Sequence, residues 1–333
     1  MPPLYEQKRI VAKLDFLMAI CDELENAEKE LDTLESQFAE YLPKSILQVA
    51  TQGKLVAQDS DDEPATELLK RIKQEKDELI RDGKIKKEKP LPSISAAEIP
   101  YDLPDGWDWY RLGELCEING GYAFKSSNYS STGVRVVRIS DFDERGFIDK
   151  NVVRHLYSTQ IEPYLLAMND ILIAMTGGTV GKSLLVSELS ETMVVNQRVA
   201  TIKLSPASNP RYIFSVILAP FAQRVINESK NSTNDNISLS DVKKFLIPLP
   251  PLAEQQRIVE KVDELMMLYN ELKETDSLPL SQKVPNIIPF PYKTVASVVS
   301  DKDMDIGIAA RGNAKGGLVG QSALDADELL GDE

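Results

Sequence analysis

Pro2-Pro3-Leu4-Tyr5-Glu6-Gln7-Lys8-Arg9-Ile10-Val11 returns, much later in the chain, as Pro250-Pro251-Leu252-Ala253-Glu254-Gln255-Gln256-Arg257-Ile258-Val259. Aligned from Pro2 to Glu25 and from Pro250 to Lys273, 14 of 24 positions are identical, which chance does not produce. A period this long excludes a solenoid and points to two copies of one structural part separated by a domain. Each copy begins with prolines, tolerated at a helix start because the missing N–H would have no partner there, and continues with apolar residues alternately four and three apart. The first series is Ile10, Leu14, Leu17, Cys21 and Leu24; the second, in the same phase, is Ile258, Val262, Leu265, Tyr269 and Leu272. Such an alternation makes a narrow apolar seam that needs a partner helix, so both segments are expected to be coiled-coil-forming helices. The first seam continues through Ala27, Leu31, Leu34 and Phe38, predicting a helix of roughly 35 residues and about 50 Å at ~1.5 Å per residue.

The texture between the two copies changes several times. Asp61-Asp62-Glu63-Pro64 is an acidic helix start, and the apolar stripe Leu68, Leu69, Ile72, Leu79, Ile80 ends at Gly83. Lys84 to Pro92 is a basic, proline-marked linker, most simply a solvated connection and alternatively a contact to a DNA backbone. Past Leu103-Pro104-Asp105-Gly106-Trp107 come β-branched runs separated by Gly, Asn and Ser: Arg135–Ile139, Asp170–Ala174, Met193–Val195 and Arg198–Leu204. Tyr212 to Asn227 reads as one helix and Ser229 to Ser240 as a polar loop. The expected fold class is α+β, one mixed α/β domain with a curved sheet flanked by long helices. The expected divisions are 1–60 for the first long helix, 61–100 for the short helix and linker, 101–248 for the mixed domain, 249–275 for the second long helix, and 276–333 for a partly disordered tail.

The formal charge of −14 argues at first against a nucleic-acid partner, whose non-specific affinity comes mostly from Lys and Arg. The excess of acid is carried by the termini, however: Tyr101 to Leu249 holds 15 basic and 16 acidic residues. The two cysteines, Cys21 and Cys116, lack metal-site or redox spacing and read as structural thiols. With no apolar run long enough to span a membrane and no signal-peptide pattern, a cytoplasmic location is expected.

Six motifs in order, Leu103-Pro-x-Gly-Trp107, Gly120-Gly-Tyr-Ala-Phe124, Asp170-Ile-Leu-Ile-Ala174, Thr176-Gly-Gly-Thr-Val-Gly-Lys182, Val195-Asn-Gln-Arg-Val199 and Ile247-Pro-Leu-Pro-Pro-Leu-Ala-Glu-Gln255, resemble a target recognition domain of the type I restriction-modification specificity subunit. The resemblance covers about Pro2 to Lys273. It implies a non-catalytic, sequence-specific DNA-binding component without a cofactor, whose partners are double-stranded DNA, methylation subunits and a restriction subunit. In that family two recognition domains are separated by two helical regions that pair antiparallel, whereas this chain has one recognition domain between both. It therefore resembles half a subunit. A homodimer through the helices would then read an interrupted palindrome, one half-site per chain. The alternative is a regulatory half-subunit that assembles with or displaces intact specificity subunits without reading DNA.

No catalytic constellation competes with this reading. Thr176 to Ser183 misses the phosphate-loop pattern because Thr stands where its first glycine is required. His155 is the single histidine, so a His-rich metal site is excluded, and no metal ligands are assigned. Base edges call for Arg or Lys on guanine, Asn or Gln on adenine and hydroxyls as general partners. The candidates are Lys125, Ser126 and Ser127; Arg138; Thr176, Thr179 and Lys182; Asn196, Gln197 and Arg198; and Asn231, Thr233 and Asn234. Tyr122 and Tyr129 are candidates for the sugar-phosphate backbone or for the core.

Overall fold

A computed structural model describes residues 1–230 and 235–276. The chain divides into two units, Met1–Glu274 and Thr275–Glu333, and the first holds the sheets and the core. The helices are α1 (Leu4–Thr51), α2 (Ala65–Arg81), α3 (Leu112–Leu115), α4 (Pro210–Leu218), α5 (Pro220–Glu228), α6 (Leu239–Lys244) and α7 (Leu252–Asp276). The strands are β1 (Asp108–Arg111), β2 (Cys116–Gly120), β3 (Val134–Val137), β4 (Phe142–Asp143), β5 (Gly146–Phe147), β6 (Val153–His155), β7 (Ile171–Ala174), β8 (Ser183–Leu185), β9 (Met193–Val195), β10 (Val199–Leu204) and β11 (Leu246–Leu249). The fold is α+β, with a long helix leading into a mixed domain. The expected tail from 276 onward lies outside the described residues, apart from Asp276 at the end of α7.

Two expectations need correction. The first helix is 48 residues long, about 72 Å at ~1.5 Å per residue, because the apolar seam fades after Phe38 while the helix continues through Pro43 into the core at Ile46, Leu47 and Ala50. The single helix expected over Tyr212–Asn227 is two: Ala219 is extended at ψ 147°, as a residue before proline prefers, and Pro220 opens α5.

The principal sheet runs β2-β10-β7-β8, antiparallel throughout, and a second runs β6-β3-β9 with β3 parallel to β9. Side chains of β7 alternate faces, so Ile171 and Ile173 enter the main core while Leu172 and Ala174 enter a second one with Phe142, Val195 and Val199. A strand buried on both sides reads as an unbroken apolar run, which explains Ile-Leu-Ile-Ala. The main core also takes Leu68 and Ile72 of α2, Trp107, Leu112, Ile202, Tyr212 and Ile258. Antiparallel pairing of β1 with β11, from Asp108↔Leu249 to Arg111↔Leu246, brings the start and finish of the domain together and delivers the chain to α7.

The first turns of α7 are seated on the domain. Glu254 accepts hydrogen bonds from Trp107 Nε1 at 2.8 Å and Gln58 Nε2 at 2.7 Å, and Arg257 Nη2 meets Asp62 Oδ2 at 2.6 Å. Burial pushes the Glu254 carboxyl up, and the two donated hydrogen bonds oppose that shift. Further along, Tyr269 donates from its hydroxyl to Ala39 O at 2.8 Å. Ala39 is the residue whose carbonyl would have bonded to the N–H at position 43, where α1 has proline. Tyr269 therefore satisfies an acceptor that Pro43 orphans. Tyr269→Phe is expected to cost about 1 kcal/mol in a urea melt and to speed amide exchange around residues 36–44. Unchanged exchange there would refute the link.

Among the described residues no helix is long and apolar enough to cross a membrane.

Candidate nucleic-acid interface

The antiparallel order of the principal sheet sends the end of β2, the end of β7 and the beginnings of β8 and β10 to one rim, since Gly120 pairs with Ala200, Ala174 with Val199 and Ser183 with Ile173. Backbone hydrogen bonds stitch the resulting loops together. Tyr122 N donates to Val195 O at 2.8 Å, Gln197 N to Tyr122 O at 2.9 Å and Met175 N to Arg198 O at 3.0 Å. Ile237 N donates to Met175 O at 3.0 Å, so the polar loop before α6 reaches the same rim. Segments far apart in sequence thus meet at one place.

Gly121 makes this approach possible. A Cβ there would lie 2.3 Å from both Val195 O and Asn196 O, inside the closest contact an atom of that size tolerates. Gly181, at φ +89°, closes the turn after β7, and Gln223 of α5 props it by donating from Nε2 to Gly181 O at 3.3 Å and to Ile217 O at 2.8 Å. Gln223 has no signature in the sequence, because a helical glutamine looks like any solvated residue until the helix is docked.

The sequence-predicted residues separate by what their side chains do. Lys125, Ser126 and Ser127 are exposed around the turn Ser126–Asn128. Gln197 and Arg198 are exposed too, and Arg198 makes no side-chain ion pair among the described residues. Asn196 is half-buried and accepts from Arg198 N at 3.3 Å, which holds the turn. Lys182 is half-exposed with its ammonium 5.8 Å from the Phe142 ring centre, while Gly177 and Gly178 face open space. Thr179 donates to Thr176 O at 3.2 Å, and the Thr176 hydroxyl is enclosed without a hydrogen-bond partner. Neither threonine therefore presents a free hydroxyl outward. Asn231, Thr233 and Asn234 lie outside the described residues.

Arg138 is committed elsewhere. Its guanidinium grips both oxygens of the buried Asp141 at 2.8 and 2.9 Å and donates to Asn151 O at 2.8 Å. Asp141 hydrogen-bonding raises the Arg138 pKa further, so this arginine braces its own loop. Tyr122 and Phe124 pack edge to face at 4.9 Å, and Tyr129 and Tyr164 complete an aromatic cluster over Val134, Val136 and Val194. The two tyrosines thus support the rim from beneath. His155 leans on Phe124 at 5.0 Å with Nδ1 2.6 Å from Leu156 O.

The helix-pairing candidates also separate. Ile10, Leu14, Leu17, Cys21 and Leu24 are all exposed on α1, Leu14 by 54% and Leu17 by 43%. Ile258 and Val262 are buried in the main core, Leu265 and Tyr269 are half-buried, and Leu272 is exposed. Cys116 is buried with its thiol donating to Leu112 O at 2.9 Å, and burial pushes its pKa up.

Phosphate-loop geometry is absent at Thr176–Ser183, since strand β8 and no helix follows the glycine turn. Among the described residues no cluster of His, Cys, Asp and Glu is arranged to hold a metal ion.

Comparison with known proteins places this geometry. Residues 104–278 match the family profile described as the type I restriction modification DNA specificity domain. The chain is 36% identical over 317 residues to the type I restriction enzyme EcoAI specificity subunit of Escherichia coli, covering 82% of this chain and 54% of that one. It is 30% identical over 327 residues to the EcoEI specificity subunit, again covering 82% of this chain and 54% of the relative. The chain thus spans about half the length of these relatives. Among solved structures, the HsdS subunit from Thermoanaerobacter tengcongensis aligns at 22% identity and a TM-score of 0.45, over 83% of this chain and 55% of that one. Because the profile covers just over half of the chain, and does so across the domain that carries the rim, this protein belongs to the type I restriction-modification DNA specificity family.

Proposed function

We propose that this chain is a non-catalytic, cofactor-free specificity component of a type I restriction-modification complex, acting on cytoplasmic double-stranded DNA with methylation and restriction subunits as partners. The carrying observation is the rim itself: loops from β2, β7 and β10 are bonded to one another at one end of a rigid sheet, with Lys125, Gln197 and Arg198 exposed along it. A rim built this way offers an arginine for guanine edges, a glutamine for adenine edges, and a lysine for phosphate. One rim reads one half-site. Two chains paired through the exposed seam of α1 would read an interrupted palindrome, protein symmetry being mirrored in the DNA.

A second reading is favoured by the charge of −14, which disfavours independent DNA binding: a half-length regulator that assembles with or displaces intact specificity subunits. One experiment separates the two. The chain is co-purified with its cognate methylation subunit and used to modify a random-sequence DNA library, read by adenine-modification sequencing. Modification at an interrupted palindrome is expected, and Arg198→Ala is expected to weaken binding to that site about tenfold or more, the ~1–3 kcal/mol of a bidentate base contact, with thermal stability unchanged. A stable complex that modifies nothing would favour the regulatory reading.

A further inference from the structure

The two copies of the repeat can be compared position by position with what the second copy touches. From Pro250 to Met266 every position identical in the first copy is buried or half-buried in α7 and the residues leading into it: Pro250, Pro251, Leu252, Glu254, Gln255, Arg257, Ile258, Val259, Lys261, Asp263, Leu265 and Met266. The positions that differ, Ala253, Gln256, Glu260 and Glu264, are the exposed ones, and the single buried difference is the conservative Val262 against Leu14. Common ancestry of two helices would not sort identities by exposure; a shared binding surface does.

The first copy even keeps the local geometry. Gln7 donates from Nε2 to Pro2 O at 2.7 Å, as Gln255 does to Pro250 O at 3.0 Å. Its apolar docking residues lie open, however. Ile10, Val11 and Leu14 are 46%, 55% and 54% exposed, and Glu6 is exposed beside them. The receptor that takes the second copy, made of Trp107, Gln58 and Asp62 above the apolar core, is filled by α7.

We propose that the segment Pro3–Leu14 is a plug for a second domain of this same kind, one that presents a Trp, Gln and Asp receptor not covered by a helix of its own. In that complex Glu6 accepts from the indole and the amide as Glu254 does, Arg9 pairs with the aspartate as Arg257 does, and Ile10, Val11 and Leu14 enter the apolar floor. The relatives, of which the chain covers 54%, have length to spare for such a domain. The plug uses Glu6 and Arg9, which lie off the Ile10-Leu14-Leu17 seam, so it is separable from coiled-coil pairing and does not depend on whether the rim reads DNA.

The test opens the receptor in the full chain with Glu254→Ala and Arg257→Ala, leaving Ile258 and Val259 in place, and adds a fluorescein-labelled peptide of residues 2–25. Saturable binding is expected, at least tenfold weaker for a peptide carrying Glu6→Ala and Arg9→Ala. If the altered chain fails to fold, the peptide is present during its refolding, and recovery of tryptophan fluorescence with the native peptide but not the substituted one is the expected result. Equal behaviour of the two peptides would mean seam pairing alone and would overturn the proposal, as would neither binding nor rescue by the native peptide.

Discussion

Arg111→Met lowers the unfolding free energy by about 3–5 kcal/mol, the usual cost of removing one member of a buried charged cluster. The Arg111 side chain is only 4% exposed, and all of its donors are used: Nε to Pro92 O at 2.7 Å, Nη1 to Lys244 O at 2.9 Å, Nη2 to Ser93 O at 3.2 Å and to Glu98 Oε2 at 2.9 Å. Those acceptors come from the linker before β1 and from the last residue of α6, so one guanidinium clasps both ends of the domain where β1 and β11 meet. Methionine fills the volume but leaves buried carbonyls without donors. Urea denaturation followed by tryptophan fluorescence at pH 7 measures the loss, and a change below about 1 kcal/mol would mean the cluster is not structural.

The same cluster sets an acid dependence. Hydrogen bonding from the Ser95 backbone, and then from Arg111, lowers the Glu98 carboxyl from 4.5 to about 2. A depressed folded-state pKa stabilises the protein fully above the unfolded value and loses that contribution as pH falls through the folded value. Stability from Glu98 is therefore expected to disappear between about pH 4.5 and 2 in the native chain, over a narrower range in Arg111→Met.

Leu14→Asp combined with Leu17→Asp abolishes the proposed dimer without unfolding the chain. Both leucines are exposed within one chain, 54% and 43%, so the folded monomer loses no core contact. In a two-fold pairing four leucines leave the interface, and at roughly 1.5–3 kcal/mol each the loss is about 6 kcal/mol or more, some four orders of magnitude in Kd. Sedimentation at tens of micromolar is expected to move from dimer to monomer with an unchanged circular dichroism spectrum, and modification of a bipartite site by the assembled complex is expected to be lost. A native chain already monomeric at that concentration would count against pairing through α1.

How much of the structure is legible in the sequence differs by element. The long helices and the strands over Ile171–Ala174, Met193–Val195 and Val199–Leu204 follow from local periodicity, which is written in consecutive residues. The break at Ala219–Pro220 is equally local but is outweighed by the apolar run on either side. The residue types of the rim are readable too, since turns rich in Gly, Asn, Ser, Lys and Arg stand out between strands. Their division of labour is not: Arg138 and Arg198 look alike in sequence, yet one is spent on Asp141 and the other is exposed.

By itself, then, the amino-acid sequence determined the repeat, the two helices it starts, the α+β domain between them and the family to which the whole belongs, because each rests on patterns of residues near one another or on motifs in order. Only the tertiary structure decided which copy of the repeat is seated and which is exposed, which arginine clasps the domain and which loops share a rim. Those outcomes depend on partners as remote as Trp107 from Glu254, Pro92 from Arg111 and Tyr269 from Ala39, and a side chain's role is settled by whichever group the closed β1–β11 pairing and the sheet order bring within reach of it.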